Sequence, residues 1–315
     1  MKILVTGCAG FIGFTLAKKL LENGHEVDGL DNLNSYYEVS LKISRLKILE
    51  YFGLNFIEKD LNNIEDLDND YDIVVNLAAQ AGVRLLEKEE IHYYQSNILG
   101  FHHVLQFCLK NKKTKLIFAS SSSVYDDNAL IPFNEKETAC NPKSIYGLSK
   151  KFNEDQAKYY FEKDLISAIG LRFFTVYGPY GRPDMAYFKF ARKIVNSEKI
   201  DLHNHGKMSR DMTYIDDIVN GIIASIRFVT NAKKNTYEIF NLGNNKPVLT
   251  NDLLKMLEQK IGKNVQINNI ITENESIMTH ADLTKSKKLL SYEPKVSLDH
   301  GLDLFLEWFK AYERK

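Results

Sequence analysis

The sequence predicts an α/β protein: a doubly wound parallel sheet with a smaller α/β substrate-binding lobe. Two observations carry this. Within the first 31 residues, a short apolar run opens directly into Gly7, Gly10 and Gly13, and the next apolar run closes on Asp31. Strand-like and helix-like segments then alternate through the first half of the chain, which is the rhythm of βαβ units with helices on both faces of the sheet.

Taken in order, Ile3, Leu4 and Val5 read as a buried strand, and Gly7 allows the tight turn after it. Gly10 lets backbone N–H groups approach a pyrophosphate, with Phe11 and Ile12 beside it, and Gly13 lets the following helix lie close to the sheet. That helix is FTLAKKLLENG, with Leu16, Leu20 and Leu21 on one face and Gly24 placed to end it. The second strand, HEVDGLD, delivers Asp31, followed by Asn32, about 20 residues past the glycines. A carboxylate there accepts both hydroxyls of an adenosine ribose and repels a 2′-phosphate, so the cradle reads as one for NAD rather than NADP.

The alternation continues as LNFIEKDL, DIVVNLAA, SNILGFHHVLQFCLK, KLIFAS, a helix from about Leu148, and LISAIGLRFF. This is a Rossmann-type pattern, in which ligands sit beyond the carboxyl ends of the strands. Asp60 with Leu61, Ala78 with Ala79, and the serines after Ala119 fall at such ends. After Tyr177 the pattern breaks into GPYGRPDM. Residues 1–175 are therefore expected to form the NAD-binding domain and 176–315 mainly the smaller lobe, with RDMTYIDDIVNGIIASI sending a helix from about 210–230 back to the first domain.

The 315 residues carry 41 basic and 41 acidic side chains, so there is no electrostatic footprint for nucleic acid or an anionic membrane, and a small-molecule partner is expected. Cys8, Cys108 and Cys140 are widely spaced and odd in number, as reduced thiols of a cytoplasmic protein would be, and they form no zinc pattern. His203 and His205 sit in a polar turn with no accompanying ligand set, so no metal is expected. No signal-peptide pattern or membrane-length apolar run is present, and the expectation is a soluble, cytoplasmic protein.

Tyr146 and Lys150 stand four apart in SIYGLSKK and share one helical face. Chance alone should yield about two Tyr-x-x-x-Lys matches, and Tyr159 with Lys163 is a second. Only Tyr146 follows a strand end rich in hydroxyls, Ser120 to Ser123. Pulling a phenol from about 10 to about 7 takes on the order of 4 kcal/mol of preferential phenolate stabilisation, which Lys150 and a positive nicotinamide are expected to supply. Tyr146 then takes a proton from a substrate hydroxyl while a serine fixes the oxygen, which is alcohol oxidation chemistry.

With the glycine loop, the serine run and the Tyr146/Lys150 pair together, the whole chain resembles the extended short-chain dehydrogenase/reductase family, the nucleotide-sugar epimerases and dehydratases. The resemblance implies Asp60 and Leu61 near the adenine, Leu77, Ala78, Ala79 and Gln80 along the cofactor, and Ser121 as the catalytic hydroxyl. Dehydratases of this family carry an acid pair at the next two positions, and this chain has Ser122 and Ser123 there, which favours epimerisation. Thr175 stands where galactose-type epimerases usually have Asn, and Gly181 to Ala186 looks like the signature of UDP-glucuronate 4-epimerases, as do DNLNSYYEVSLKISRL and NLAAQAGVR. A guanidinium fork grips a carboxylate bidentately, so Arg182 is expected to hold the C5 carboxylate of a uronate, with Thr175, Ser122 and Ser123 as hydroxyl donors and Met185 nearby. Arg210 matches the family arginine that meets the UDP diphosphate. Arg84 and Asn97 are expected as site neighbours, with helix capping the alternative for Asn97. Leu290 and Ser291 stand where Leu-Gly is common.

The resemblance thus implies NAD-dependent C4 epimerisation of a UDP-hexuronate. The alternatives are a 4-epimerase for UDP-glucose or UDP-N-acetylhexosamine, a net dehydrogenase, and a non-catalytic NAD-sensing protein. Family members are often dimers, here through helices around 97–109 and 148–160.

Overall fold

Ile3, Leu4 and Val5 are completely buried, the mark of a strand covered on both faces. The computed structural model describes residues 1–68, 70–82, 89–126, 128–137, 141–272 and 277–314. The first half runs β1 (Lys2–Thr6), α1 (Phe11–Glu22), β2 (Glu26–Asp31), α2 (Val39–Tyr51), β3 (Asn55–Glu58), β4 (Ile73–Asn76), α3 (Gly100–Leu109), β5 (Lys115–Ser121), α4 (Ile145–Glu162) and β6 (Ala168–Phe173). Then follow β7 (Thr175–Tyr177), α5 (Ala186–Val195), β8 (Ile200–His203), β9 (Ser209–Tyr214), α6 (Ile215–Asn231) and β10 (Tyr237–Leu242). The chain closes with β11 (Pro247–Leu249), α7 (Thr250–Ile261), β12 (Ile267–Ile270), α8 (Thr284–Leu290) and α9 (Leu298–Tyr312).

Seven strands form one parallel sheet in the order β10-β6-β5-β4-β1-β2-β3. Side chains alternate across it: Ile3 and Val5 join Phe14, Leu16 and Leu20 on one face, and Leu4 joins Phe101, Val104 and Phe118 on the other. The chain reverses its winding between β1 and β4, and a crevice opens beyond their carboxyl ends.

Two boundaries differ from the sequence reading. The helix expected near 210–230 is α6, which packs on α1, β5 and β6, but the sheet also takes β10, paired along β6 from Ala168 to Phe173. A cut at 175 would strip the sheet of this edge strand. Helix α4 begins at Ile145 rather than Leu148, because the Ser144 hydroxyl accepts the Gly147 N–H at 3.0 Å and caps the helix earlier.

The smaller lobe holds a three-stranded sheet, β11-β9-β7, and the β12-β8 pair. Aromatic packing cements it, with Phe188 of α5 meeting Phe305, Trp308, Phe309 and Tyr312 of α9. Among the described residues, no helix is long and apolar enough to cross a membrane, and no group of three potential ligands could hold a metal ion.

Candidate active site

A cavity of about 850 Å³ lies at the crevice and extends between the sheet and the smaller lobe. Its floor is the glycine loop. Gly7 adopts φ +71°, a Cβ on Gly13 would lie 2.1 Å from the Gly7 carbonyl oxygen, and Gly10 donates to that oxygen at 2.9 Å. No side chain caps α1 at Gly10, so the first-turn N–H groups at Phe11, Ile12 and Gly13 face the cavity as an anion cradle. A diphosphate fits here, and the rest of NAD follows along the wall.

Asp31 lies at the end of β2 on that wall, with its two carboxylate oxygens accepting the N–H groups of Ala9 at 3.1 Å and Leu33 at 2.9 Å. Each oxygen keeps a lone pair for a ribose hydroxyl. Asn32 donates to Asp60 at 2.7 Å, and Asp60 caps the short 3₁₀ turn that begins at Leu61; all three line the cavity. Leu77, Ala78, Ala79 and Gln80 follow β4 along the same wall.

Asn97 does not line the cavity; it is buried one layer behind. Its carbonyl oxygen Oδ1 accepts the Gln80 N–H at 2.8 Å, while Nδ2 donates to the Gln80 carbonyl and to Ser149 Oγ, each at 3.0 Å. It caps no helix, because it sits inside a π-helical turn, Tyr93–Leu99, that runs into α3. Asn97 thus clamps the loop after β4 to α4, one layer behind the cavity wall where a cofactor contact is expected. Arg84 lies outside the described residues.

The reacting end is built by β5 and α4. Ser121 Oγ accepts the Ser123 N–H at 3.1 Å, turning the chain so that Ser121, Ser122 and Ser123 all reach the cavity. A Cβ on Gly147 would lie 2.2 Å from the Ser123 carbonyl oxygen, so glycine there lets α4 press Tyr146 against the serines. Lys150 is buried, its Nζ 5.9 Å from the centre of the Tyr146 ring. Behind them, Glu154 and Arg172 form a buried bidentate pair, Nε to Oε1 and Nη2 to Oε2, both at 2.8 Å. Ser120 donates to the same Glu154 at 2.6 Å, which ties this pair to the serine run.

In the protein alone the phenol is not depressed as the sequence reading expects. Burial raises the Tyr146 pKa, and Arg182 and the Ser121 hydroxyl lower it without cancelling that effect. Burial also lowers Lys150 to about 8. A positively charged nicotinamide beside the phenol would favour the phenolate further.

Thr175, Arg182, Met185 and Arg210 line the opposite wall. Arg210 Nη1 donates to the Ser209 carbonyl at 2.9 Å. Arg182 carries an unforeseen partner, donating from Nε to Asp184 Oδ1 at 3.0 Å and from Nη2 to Oδ2 at 2.5 Å. Burial opposes both charges, yet each holds the other ionised: Asp184 lies below its ordinary value and Arg182 above. The Arg182 guanidinium also lies over the Tyr36 ring, 5.8 Å from its centre.

Residues 3–243 match the NAD dependent epimerase/dehydratase family. The chain belongs to that family. The uncharacterized protein MJ1055 of Methanocaldococcus jannaschii is 44% identical, over 98% of this chain and 95% of its own length. UDP-glucuronate 4-epimerase 4 of Arabidopsis thaliana is 40% identical, over 98% of this chain and 75% of its own. The crystal structure of UDP-glucuronic acid 4-epimerase from Bacillus cereus, in complex with UDP-glucuronic acid and NAD, superposes with a TM-score of 0.92 at 34% identity, covering 99% of this chain and 100% of that one. The fold of this family member is thus that of a nucleotide-sugar epimerase.

Sequence reasoning missed the pairing of Asp184 with Arg182, Tyr36, whose hydroxyl donates to Asp184 at 3.4 Å, and the Glu154–Arg172 pair. The Asp184 contact had a local signal, since an acid two residues after an arginine in a tight loop can fold back on it. Glu154 also had one, four residues after Lys150 and eight after Tyr146 on the same helical face.

Proposed function

We propose that this protein is a UDP-glucuronate 4-epimerase, interconverting UDP-glucuronate and UDP-galacturonate through a transient 4-keto sugar. The carrying observation is the placement of Arg182 on the cavity wall, close enough to Tyr146 for its charge to act on the phenol. A cation so near the acid–base group suits a sugar that bears a carboxylate one carbon from the reacting centre.

NAD, held by the glycine loop and Asp31, would supply hydride acceptor and donor chemistry at C4 of the sugar. Tyr146, as phenolate, takes the proton of the 4-hydroxyl and later gives it back, and the Ser121 hydroxyl holds the sugar oxygen between them. Lys150 stabilises the phenolate when charged. The flat 4-keto sugar turns about its link to the diphosphate, which Arg210 holds. Arg182, with Ser122, Ser123 and Thr175, holds the carboxylate. This grip also protects the intermediate, because a 4-keto uronate is a β-keto acid that loses carbon dioxide when its C–C bond aligns with the carbonyl.

Purified protein with NAD should convert UDP-glucuronate to UDP-galacturonate, read by NMR of the sugar, without accumulating NADH. Conversion of UDP-glucose in place of UDP-glucuronate would establish the neutral-hexose alternative, and NADH build-up a net dehydrogenase. Turnover lost on Tyr146→Phe excludes the NAD-sensing alternative. Arg182→Ala should weaken UDP-glucuronate binding and release a pentose nucleotide; unchanged affinity with no pentose would remove Arg182 from this role.

The partner we assign is a second copy of the chain, seated on α3 and α4. Leu148 and Tyr159 of α4 are 55% and 56% exposed, and Phe152 of α4 and Leu99, just before α3, are exposed as well. Leu148→Glu with Tyr159→Glu should shift the sedimenting species from dimer to monomer. Buried free thiols at Cys8 and Cys108 suit a cytoplasmic enzyme, and its product suits the building of acidic polysaccharide.

A further inference from the structure

We propose that Arg45 is a positioning residue that locks the NAD-binding glycine loop to the loop carrying Arg182, setting the acid-recognising guanidinium in register with the cofactor. The inference rests on the uronate reading above. It begins with an oddity of burial. Arg45, on α2, is fully buried, and its hydrogen bonds all go to neutral oxygens rather than to a carboxylate. Its Nε has no hydrogen-bond partner among the described residues. Burying a guanidinium this way is unfavourable, and an aliphatic side chain would pack there at lower cost. The reason for an arginine is in what its fork joins.

Nη1 donates to the Ala9 carbonyl at 2.7 Å, inside the turn between Gly7 and Gly10, and to Tyr37 Oη at 2.7 Å. Nη2 donates to the carbonyls of Tyr180 at 2.6 Å and Gly181 at 3.3 Å, the two residues before Arg182. One planar group thus spans the floor of the cofactor cradle and the loop that carries Arg182. Tyr180 needs holding, since it adopts φ +57°, a left-handed conformation that is unfavourable for a non-glycine residue. A second tie from the same segment reinforces the first: Tyr36 donates to Asp184 at 3.4 Å, on the carboxylate that orients Arg182. A lysine at 45 has a single nitrogen and cannot serve both loops.

The test uses the full-length, NAD-saturated chain as wild type, Arg45→Lys and Arg45→Met. Hydrogen exchange is read over residues 7–13, residues 178–186 and, as an internal control on the other face of the sheet, α3. Affinities for UDP-glucuronate and UDP-glucose are measured on the same samples. In Arg45→Met both loops should exchange at least about 10-fold faster while α3 is unchanged, and Arg45→Lys should leave at least one loop fast. UDP-glucuronate affinity should fall about 10-fold and UDP-glucose affinity less than about twofold, because only the former uses Arg182. Unchanged exchange over 178–186 would overturn the proposal. So would acceleration of α3 together with both loops, or equal affinity losses for the two sugars, since each marks a general packing role. A wild type with no preference for UDP-glucuronate would instead sink the functional reading, and the exchange comparison would still decide the role of Arg45.

Discussion

Arg172→Met should cost the protein about 3–5 kcal/mol of unfolding free energy, the penalty for stranding a buried carboxylate. Glu154 and Arg172 side chains are each only 4% exposed. The carboxylate accepts from Arg172 twice at 2.8 Å and from Ser120 once at 2.6 Å, so the substitution leaves it one neutral donor and no countercharge. The guanidinium also lies 4.6 Å from the centre of the Tyr125 ring, a contact that methionine keeps only in part. Urea unfolding followed by circular dichroism and by Trp308 fluorescence measures the loss, and coincidence of the two curves checks that one transition is being read. The double variant Glu154→Gln, Arg172→Met supplies the decisive comparison. Removing both charges should recover much of the loss, because the cost lies in an unpaired charge rather than in a missing attraction. A loss below about 1 kcal/mol for Arg172→Met, or a double variant no more stable than the single one, would refute the reasoning.

Three further outcomes are expected. Lys150, lowered by burial to about 8 in the folded chain against about 10.5 unfolded, loses its proton first in the native state, so stability of the NAD-free protein should rise with pH between these values. Lys150→Met should flatten that rise, by up to about 3 kcal/mol in urea titrations across the window, and should lower kcat about 10²–10⁴-fold. Asp184→Asn removes the negative charge that offsets Arg182, so phenolate at Tyr146 becomes easier to form and the acidic limb of the kcat/KM profile should move to lower pH. Gly13→Ala places a methyl 2.1 Å from the Gly7 carbonyl oxygen, and the purified variant should retain no NAD and show no rise in melting temperature when NAD is added.

Most of the sheet was legible because its strands are short apolar runs punctuated by glycine and acid, and each of those signals is local. The Gly7–Gly13 spacing, Asp31 and the Tyr146/Lys150 pair are all of this kind. Ser291 shows the same logic at a departure from the family pattern: it adopts φ +54° at the end of α8, the left-handed cap that glycine usually supplies. What stayed hidden depends on contacts far apart in sequence. Helix α2 buries Lys42 and Arg45, so its polar residues sit where an amphipathic reading expects leucine. Asn97 reads as a cap or a ligand, and only the approach of Gln80 and Ser149 makes it a clamp. Arg182 stands out in sequence through its proline-flanked loop, but its pairing with Asp184 depends on the turn the backbone makes there.

The edge strand β10 carries a consequence for biosynthesis. As the polypeptide leaves the ribosome, β6 emerges more than 60 residues ahead of the strand that covers it, Tyr237–Leu242, and α1 waits about three times as long for α6. Until then the nascent chain displays a naked row of amides and carbonyls along Ala168–Phe173, the kind of template on which stray strands stick. Stalled or truncated products ending before residue 242 should therefore be clients of chaperones, and the seven-stranded sheet is completed only when translation has passed well into the smaller lobe.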